Sequence, residues 1–305
     1  SRVRAVAGCT MRSTAPDLPA CLPMPSARIC PLAEVAHRLP AGSPPTARPD
    51  AMALHITGDA RLPHLDLDTI VWEPGQVAVP RAPEAIAEAL VGYIRANDTW
   101  VIEGCYGELV QAASAHCTEM IFLNPGLAAC LANNRRRPWE PHKYDSKEAQ
   151  DAMLENLQAW VAGYYTRDDD WSYRAHRRVF DAFTGSKRER YLREAGPLDV
   201  ADMQRIRRAV RENRLSDPGR VTDADCLAAM DALGKTWLAV DGEKVVAFAS
   251  AYRSGSLWAL FVDPDHEGCG WGQVLHAQAV DWLWSQGHEL LWLTTGGGTR
   301  AERFY

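Results

Sequence analysis

The sequence predicts an α/β protein made of two domains, and three observations carry that prediction. The chain has 305 residues, which is enough for two domains of ordinary size. Over residues 51–187, short apolar runs alternate with helix-like segments, a pattern typical of a parallel sheet covered by helices. Over residues 188–305, consecutive apolar runs joined by short turns lie between helix-like segments, which indicates a second domain of a different type.

Residues 1–50 differ in composition from the rest of the chain. They are rich in Pro, Ala, Ser and Arg and show neither helical nor strand periodicity. We expect a disordered leader there, with coil over residues 39–50. Since the chain begins at Ser1 and stops at Tyr305 inside a predicted helix, a fragment or an imperfect gene model is also expected.

The composition excludes several classes of protein. The hydrophobic fraction of 47% and the charged fraction of 24% are those of a soluble globular protein. With a net charge of −6 and no strongly basic region, no nucleic-acid partner is expected. No apolar run approaches the roughly 20 residues that span a membrane, and no secretory signal is recognisable. The 8 cysteines form no CxxC pair, so we expect free thiols, no metal site and a cytoplasmic location.

The elements of the first domain follow from its apolar runs. Strands are predicted at residues 52–58, 62–72, 99–104 and 119–124, a helix at residues 82–97, and mainly helical structure over residues 125–183. The alternation predicts a parallel sheet with helices on both faces.

The second domain is predicted to begin with a strand and two helices. Strands are expected at residues 190–195, 235–242, 244–254, 256–264 and 289–298, and helices at residues 199–213, 222–233 and 271–287. Asp241-Gly242 predicts a hairpin. Asp199 or Asp202 is the expected cap of the first helix, and Thr299 with Glu302 has the spacing of a capping box.

Three glycines, Gly268, Gly270 and Gly272, fall within five residues between a predicted strand and a predicted helix. The first amides of a helix have no partner inside it and lie at the positive end of the helix dipole. Glycines let a diphosphate approach those amides without a Cβ in the way. The spacing matches neither GxGxxG nor GxxxxGK[ST], so a glycine-rich turn without a ligand is the alternative at this point.

The stretch Glu267-Gly268-Cys269-Gly270-Trp271-Gly272 resembles the pyrophosphate loop Q/R-x-x-G-x-G/A of the GCN5-related N-acetyltransferase (GNAT) family. The flanking elements follow the order of the family's fourth strand, third helix, fifth strand and fourth helix, and the resemblance covers about residues 188–305. It implies an α+β acyltransferase domain, truncated because the family fold continues past the last residue. It also implies that residues 267–272 bind the phosphates of acetyl-CoA. Glu267 replaces the usual Gln or Arg, and Cys269 stands where many relatives carry Arg, so weaker cofactor binding is expected.

The resemblance also implies a mechanism, namely direct acetyl transfer from acetyl-CoA to an amine. A backbone amide at Phe261 or Val262 would stabilise the tetrahedral oxyanion. Tyr305 would protonate the departing thiolate, or it is instead an aromatic residue packed next to Phe304. The expected truncation would impair this activity.

The general base and the acceptor are less well defined. Glu212 is our candidate base, with Asp217 and His276 as alternatives, and each could instead be a solvated or packed residue. The acceptor is expected to be an amine of a small molecule or a peptide. An unpaired terminal sheet edge leaves room for a homodimer. If turnover is lost, the chain would be a non-catalytic binding protein.

Residues 51–186 carry a second resemblance, to the P-loop nucleoside and shikimate kinase group. It rests on residues 62–75, 99–107, 119–126 and 133–139, which include the arginines of a lid-like region. No GxxxxGK[ST] phosphate loop occurs in the chain, so we interpret this part as a degenerate P-loop kinase-like domain. A kinase is therefore the alternative enzyme. Asp66 and Asp68 are expected to be solvated carboxylates at a strand end rather than metal ligands.

Overall fold

A computed structural model of the chain describes residues 2–4, 33–38, 63–73, 79–135, 139, 146–212 and 217–304. The chain divides into two compact units, Ser1–Glu189 and Arg190–Tyr305. Across the described ranges, every helix is too short or too polar to span a bilayer.

The first unit combines short strands with helices of up to 14 residues. Its strands are β1 (Arg2–Arg4), β2 (Ala33–Arg38), β3 (His64–Asp66), β4 (Val101–Gly104) and β5 (Glu119–Asn124). Its helices are α1 (Asp68–Val71), α2 (Pro83–Ala96), α3 (Gly107–Ser114), α4 (Leu127–Arg135), α5 (Lys147–Ala152), α6 (Leu154–Ala162) and α7 (Tyr173–Ala182). Helix α2 confirms the helix predicted at residues 82–97. It begins with a proline, which fits the first helical position because the N–H at that position has no partner inside the helix.

The strands of the first unit pair in both senses. Strands β3 and β4 are parallel, with Asp66 opposite Glu103, as the alternating pattern predicts. Strand β5 instead pairs antiparallel with β2, which pairs antiparallel with β1. Strands β1 and β2 lie within residues 1–50, for which the sequence predicts a disordered leader. The alternation of apolar and polar residues in β2 is short, and the Pro and Ser residues around it obscure the pattern. The strand nevertheless forms, because β5 provides an edge with which it pairs.

The coil predicted at residues 39–50 and the strand predicted at residues 52–58 lie outside the described residues.

Strand β3 is much shorter than the strand predicted at residues 62–72. Oδ1 of Asp66 accepts a hydrogen bond from the N–H of Asp68 at 2.9 Å, and Oγ1 of Thr69 donates to the Asp66 carbonyl at 2.6 Å. These local bonds turn the chain out of the sheet and into helix α1.

A fully buried histidine links three segments of the first unit. Nδ1 of His176, on α7, lies 2.9 Å from the Tyr164 hydroxyl, and its Nε2 lies 3.1 Å from the Cys105 carbonyl oxygen. Because a carbonyl only accepts, Nε2 carries the proton, and the Tyr164 hydroxyl donates to Nδ1 of the neutral ring. Burial, with a contribution from the Arg167 guanidinium, lowers the pKa of His176 to about 4.

The second unit is organised around an antiparallel sheet. In order across the sheet, its strands are β6 (Ser186–Glu194, of which residues 190–194 belong to this unit and pair with the next strand), β7 (Gly234–Asp241), β8 (Lys244–Tyr252) and β9 (Ser256–Val262). Its helices are α8 (Val200–Ala209), α9 (Asp223–Met230), α10 (Trp271–Ser285) and α11 (Arg300–Phe304). Gly242, with a φ of 65°, makes the turn between β7 and β8, which confirms the predicted hairpin.

Side chains of the sheet alternate between two apolar layers. Trp237 belongs to a layer with Leu275 of α10, whereas the next residue, Leu238, belongs to a layer with Ile206 of α8. Trp237 also meets Trp282 of α10 edge to face, with 5.6 Å between ring centroids. Helices therefore cover both faces of this sheet.

Two caps differ from expectation. The Asp199 carboxylate does not cap α8, because it accepts hydrogen bonds from Arg193 at 2.7 and 2.6 Å and from the Gly196 N–H at 2.8 Å. Asp202 pairs with Arg205 at 2.9 Å. Helix α8 ends at Ala209 rather than at residue 213.

The strand predicted at residues 289–298 is not formed. One parallel bridge joins this segment to β9: the Leu257 N–H donates to the Trp292 carbonyl at 3.0 Å, and the Trp292 N–H donates to the Gly255 carbonyl at 3.1 Å. Leu290 is 78% exposed and residues 296–298 are all glycine, so little burial supports a longer strand. Among the described residues, β9 is therefore paired fully with β8 on one edge and only at this bridge on the other.

Candidate functional site

The glycine-rich loop lies between strand β9 and helix α10. Strand β9 ends at Val262, a 3-10 turn spans Pro264–His266, and α10 begins at Trp271. Gly268 and Gly270 each have a φ of 77°, a left-handed conformation that favours glycine. The path of the loop therefore requires glycine at both positions.

The beginning of α10 presents backbone amides without helical partners. Gly270 is the N-cap residue, and the Val274 N–H donates to its carbonyl at 3.2 Å. The N–H groups of residues 271–273 have no acceptor within the helix and lie at the positive end of its dipole. A Cβ added at Gly268 would meet no atom within 4 Å, so space beside the loop is open. These features suit an anionic ligand such as a diphosphate.

Gly272 differs from the two left-handed glycines because it is part of helix α10. A Cβ there would lie 3.6 Å from Cδ2 of Leu260 and 3.7 Å from the Phe304 ring, which is ordinary van der Waals contact. Alanine therefore fits at this position, whereas a larger side chain would have to displace its neighbours.

Three predicted cofactor-binding residues have side chains that are at least partly buried. Glu267 and Cys269 are half-buried, and the Cys269 thiol lies 3.8 Å from the Glu267 carbonyl oxygen. Trp271 is 5% exposed and packs in the layer between α10 and the sheet. The groups that these residues can offer to a ligand are therefore mainly backbone amides.

Phe261 and Val262 occupy the last two positions of β9 and face opposite layers. The Phe261 ring lies 5.5 Å from the Phe248 ring on the side of α8 and α9, whereas Val262 packs on the side of α10. In register, Phe261 pairs with Phe248 and Val262 with Ala247. Both residues lie beyond the bridge to Trp292, in the part of β9 whose second edge is unpaired among the described residues.

An ion-pair cluster around a buried carboxylate, which the sequence analysis missed, lies directly after β9. The Asp263 carboxylate, in a residue only 5% exposed, is 2.8 Å from Nη1 of Arg205 and 3.1 Å from Nζ of Lys244. It also accepts the Asp265 N–H at 3.1 Å. Although burial opposes ionisation, this N–H and the two cations lower the pKa of Asp263 to about 2. The cluster joins residues far apart in sequence, and its only local signal is an Asp-Pro pair at a strand end.

Most of the second unit matches a known protein family. Residues 200–305 match the model of the family described as Acetyltransferase (GNAT) family. This part of the chain is a GNAT acetyltransferase domain. The match supports an acyl-CoA N-acyltransferase and confirms the resemblance drawn from residues 267–272. No curated protein matches the chain.

Solved structures that match part of the chain include three acetyltransferases. A GCN5-related N-acetyltransferase from Rhodopseudomonas palustris is 22% identical over 37% of this chain and 76% of its own, with a TM-score of 0.33. A putative acetyltransferase from Salmonella typhimurium, solved with its cofactor acetyl-CoA, is 18% identical over 37% of this chain and 73% of its own, with a TM-score of 0.33. An aminoglycoside N-acetyltransferase in complex with CoA is 17% identical over 38% and 84%, with a TM-score of 0.31.

The candidate bases of the GNAT domain occupy different environments. Glu212 follows α8 and is exposed. Asp217 is also exposed, and its carboxylate accepts the Gly219 N–H at 2.8 Å. His276 is half-buried on α10. The choice of Glu212 as the base therefore stays a prediction.

The candidate acid of the GNAT domain, Tyr305, lies outside the described residues. Its neighbour Phe304 meets the His276 ring edge to face at 5.7 Å and lies close to Gly272. Helix α11 therefore ends beside the first turns of α10.

The acidic residues of the first unit take part in local contacts. Oδ1 of Asp68 accepts a hydrogen bond from the Tyr106 hydroxyl at 2.5 Å, and that hydroxyl accepts one from Nε1 of Trp72 at 2.7 Å. Asp66 closes the turn before α1. Within the described parts of the chain, no group of three His, Cys, Asp or Glu side chains is placed to hold a metal ion.

Proposed function

We propose that the GNAT domain transfers an acetyl group from acetyl-CoA to an amine of a small molecule or a peptide. The observation that carries this proposal is the geometry of the loop, in which two left-handed glycines precede the unpartnered amides of a 15-residue helix. The open space at Gly268 would admit a phosphate without a steric clash.

Backbone groups would provide most of the cofactor site. The diphosphate of acetyl-CoA would accept hydrogen bonds from the amides at the start of α10, and the pantetheine arm would lie along the second edge of β9. A backbone amide at Phe261 or Val262 would donate to the oxyanion when the amine attacks the thioester carbon. Glu267 adds a negative charge near the phosphates, and Cys269 adds no positive one, so binding weaker than in an arginine-bearing loop is expected.

Proton transfer completes the proposed reaction. The attacking amine must lose a proton, which Glu212 would accept, directly or through water. The CoA thiolate must gain one as the carbon–sulfur bond breaks, and Tyr305 would donate it. Substituting Tyr305 by Phe should then lower kcat while leaving the dissociation constant of acetyl-CoA unchanged.

Calorimetric titration of the whole chain with acetyl-CoA tests the proposal. We expect binding by the wild type and its loss in Gly270→Val, which forces a side chain into the left-handed position at the helix start. Gly297→Val is the matched control, because Gly297 has open space around it and no left-handed φ. Equal binding by the wild type and Gly270→Val would show that acetyl-CoA does not use this loop.

A parallel titration with ATP and Mg²⁺ addresses the kinase alternative. Gly234-Lys235-Thr236 repeats the end of a phosphate-loop motif, but Gly234 begins strand β7 and Thr236 is buried. We therefore expect no ATP binding. Binding of acetyl-CoA without transfer to any amine would instead indicate a non-catalytic binding protein.

A homodimer is also proposed for the GNAT domain. Its support is the exposure of Leu290 and Trp292, at 78% and 54%, beside the second edge of β9. Light scattering coupled to size exclusion measures the mass directly, and a Trp292→Glu variant should run as a monomer. A wild-type mass equal to that of one chain would refute the proposed homodimer.

A further inference from the structure

Asp263 contacts a helix, a neighbouring strand and the 3-10 turn at the start of the glycine loop. Its carboxylate reaches Arg205 on α8 and Lys244 at the first position of β8. Its backbone N–H donates to the Val246 carbonyl at 2.8 Å, which extends the pairing of β8 and β9 by one residue. Its carboxylate and carbonyl also accept the N–H groups of Asp265 and His266, at 3.1 and 2.8 Å, within the 3-10 turn. One residue therefore joins a helix, two strands and the loop.

The charges around Asp263 balance, so the cluster is not built to bind an anion. Arg205 also pairs with Asp202 at 2.9 Å, which gives two cations and two carboxylates. His266 lies 3.8 Å from Asp263, and burial together with Lys244 lowers its pKa, so its ring is neutral near pH 7. With no surplus positive charge, the cluster serves to hold the chain in place.

The position of the cluster matters because Asp263 is only seven residues before the N-cap Gly270. Between them the chain makes one 3-10 turn and passes through a left-handed glycine, which has little conformational restraint of its own. At this end the loop is restrained by the contacts of Asp263 and by the fixed φ of Pro264.

We propose that Asp263 is a positioning residue, whose carboxylate, held by Arg205 and Lys244, fixes the start of the glycine loop and so orients the amides at the beginning of α10. The effect on cofactor binding rests on the proposed acetyl-CoA site, whereas the effect on the loop does not. The two are therefore tested by separate measurements.

The first measurement is hydrogen exchange of the amides of residues 267–274 in the whole chain, for the wild type, Asp263→Asn and Asp265→Asn. Asp265 is the matched control, because it is exposed in the same turn and loses the same charge without breaking the ion pairs. We expect exchange on the order of tenfold faster in Asp263→Asn and unchanged in Asp265→Asn. Exchange at wild-type rates in Asp263→Asn, with the fold intact by circular dichroism, would overturn the proposal.

The second measurement is the dissociation constant of acetyl-CoA for the same variants. Removing a negative charge near an anion should by itself tighten binding, so electrostatics alone predicts tighter binding in both variants. Positioning predicts the opposite for Asp263→Asn, with binding on the order of tenfold weaker, a higher KM and little change in kcat. Binding as tight as in the wild type, or tighter, would overturn the proposed role in cofactor binding. No binding by the wild type would count against the acetyl-CoA site, while the exchange result would still decide the role of Asp263.

Variants of Lys244 keep the proposal testable if Asp263→Asn does not fold. The Lys244 side chain is 48% exposed, so its replacement leaves the core intact. Lys244→Met should speed exchange in the loop by a smaller factor, and Lys244→Arg should restore the wild-type rate because it keeps the charge. Identical exchange in the wild type, Lys244→Met and Lys244→Arg would contradict the proposed positioning role of Asp263.

Discussion

Acid should destabilise the first unit through His176, and the size of the effect follows from its burial. A pKa lowered from 6.5 to about 4 means that the unfolded chain binds the proton more tightly than the folded chain. Stability is therefore full above about pH 6.5 and falls as the pH drops towards about 4. A shift of about 2.5 units corresponds to about 3 kcal/mol in full, most of which is lost by about pH 4.5. Protonation would also place a second donor at Nδ1, facing the donating hydroxyl of Tyr164.

The assay is urea unfolding followed at about pH 7.5 and about pH 4.5, with wild type, His176→Gln and His116→Gln compared. Other acidic groups also titrate in this range, but they do so in all three proteins, so the difference between proteins isolates His176. His176→Gln should lose much less stability between the two pH values than the wild type does. His116 is exposed, so His116→Gln controls for the loss of an imidazole that is not buried. The same pH dependence in His176→Gln and the wild type would refute the reasoning.

Three further predictions concern the second unit. A Cβ at Gly234 would lie 1.9 Å from the Ala251 carbonyl oxygen, so Gly234→Ala should lower the free energy of unfolding by at least about 2 kcal/mol in urea titration. Thr222→Ala removes a capping box with Asp225 and should cost about 1 kcal/mol in the same assay, and a loss below a few tenths would contradict the cap. Asp263, with a pKa of about 2 against 3.8, contributes about 2 kcal/mol that is present above roughly pH 4 and lost as the pH falls to about 2. Acid-unfolding curves of the wild type and Asp263→Asn should therefore converge near pH 2, and a constant separation would contradict this assignment.

Local patterns predicted those elements that are stabilised by neighbours close in sequence. The hairpin at Gly242 forms because its turn residues and both strands lie within 20 residues. The glycine loop could be placed because strand, loop and helix follow one another without a break. Its left-handed glycines then agree with the conformational freedom that the sequence offers at Gly268 and Gly270.

Long-range contacts account for what the sequence did not predict. Strand β2 pairs with β5, which lies more than 80 residues later in the chain. No local sequence pattern predicts a partner at that distance. The segment at residues 289–298 has the apolar residues of a strand but meets β9 at a single bridge. The sequence places Asp263 at the end of a predicted strand but does not show its partners on α8 and β8. His176 lies in a mostly polar helix, where the sequence gives no sign of a buried imidazole.

The contact between Trp237 and Trp282 gives the second unit an optical signature. Two indoles held at 5.6 Å and 66° in a packed layer produce near-ultraviolet circular dichroism only while their orientation is fixed. That signal reports whether helix α10 is seated on the sheet. Trp271, buried in the same layer at the start of the helix, is a fluorophore next to the glycine loop. Because the chain has 11 tryptophans, each signal is obtained as the difference between the wild type and a variant in which that Trp is replaced by Phe. The dichroism difference at Trp282 then monitors the layer, and the fluorescence difference at Trp271 follows events at the loop.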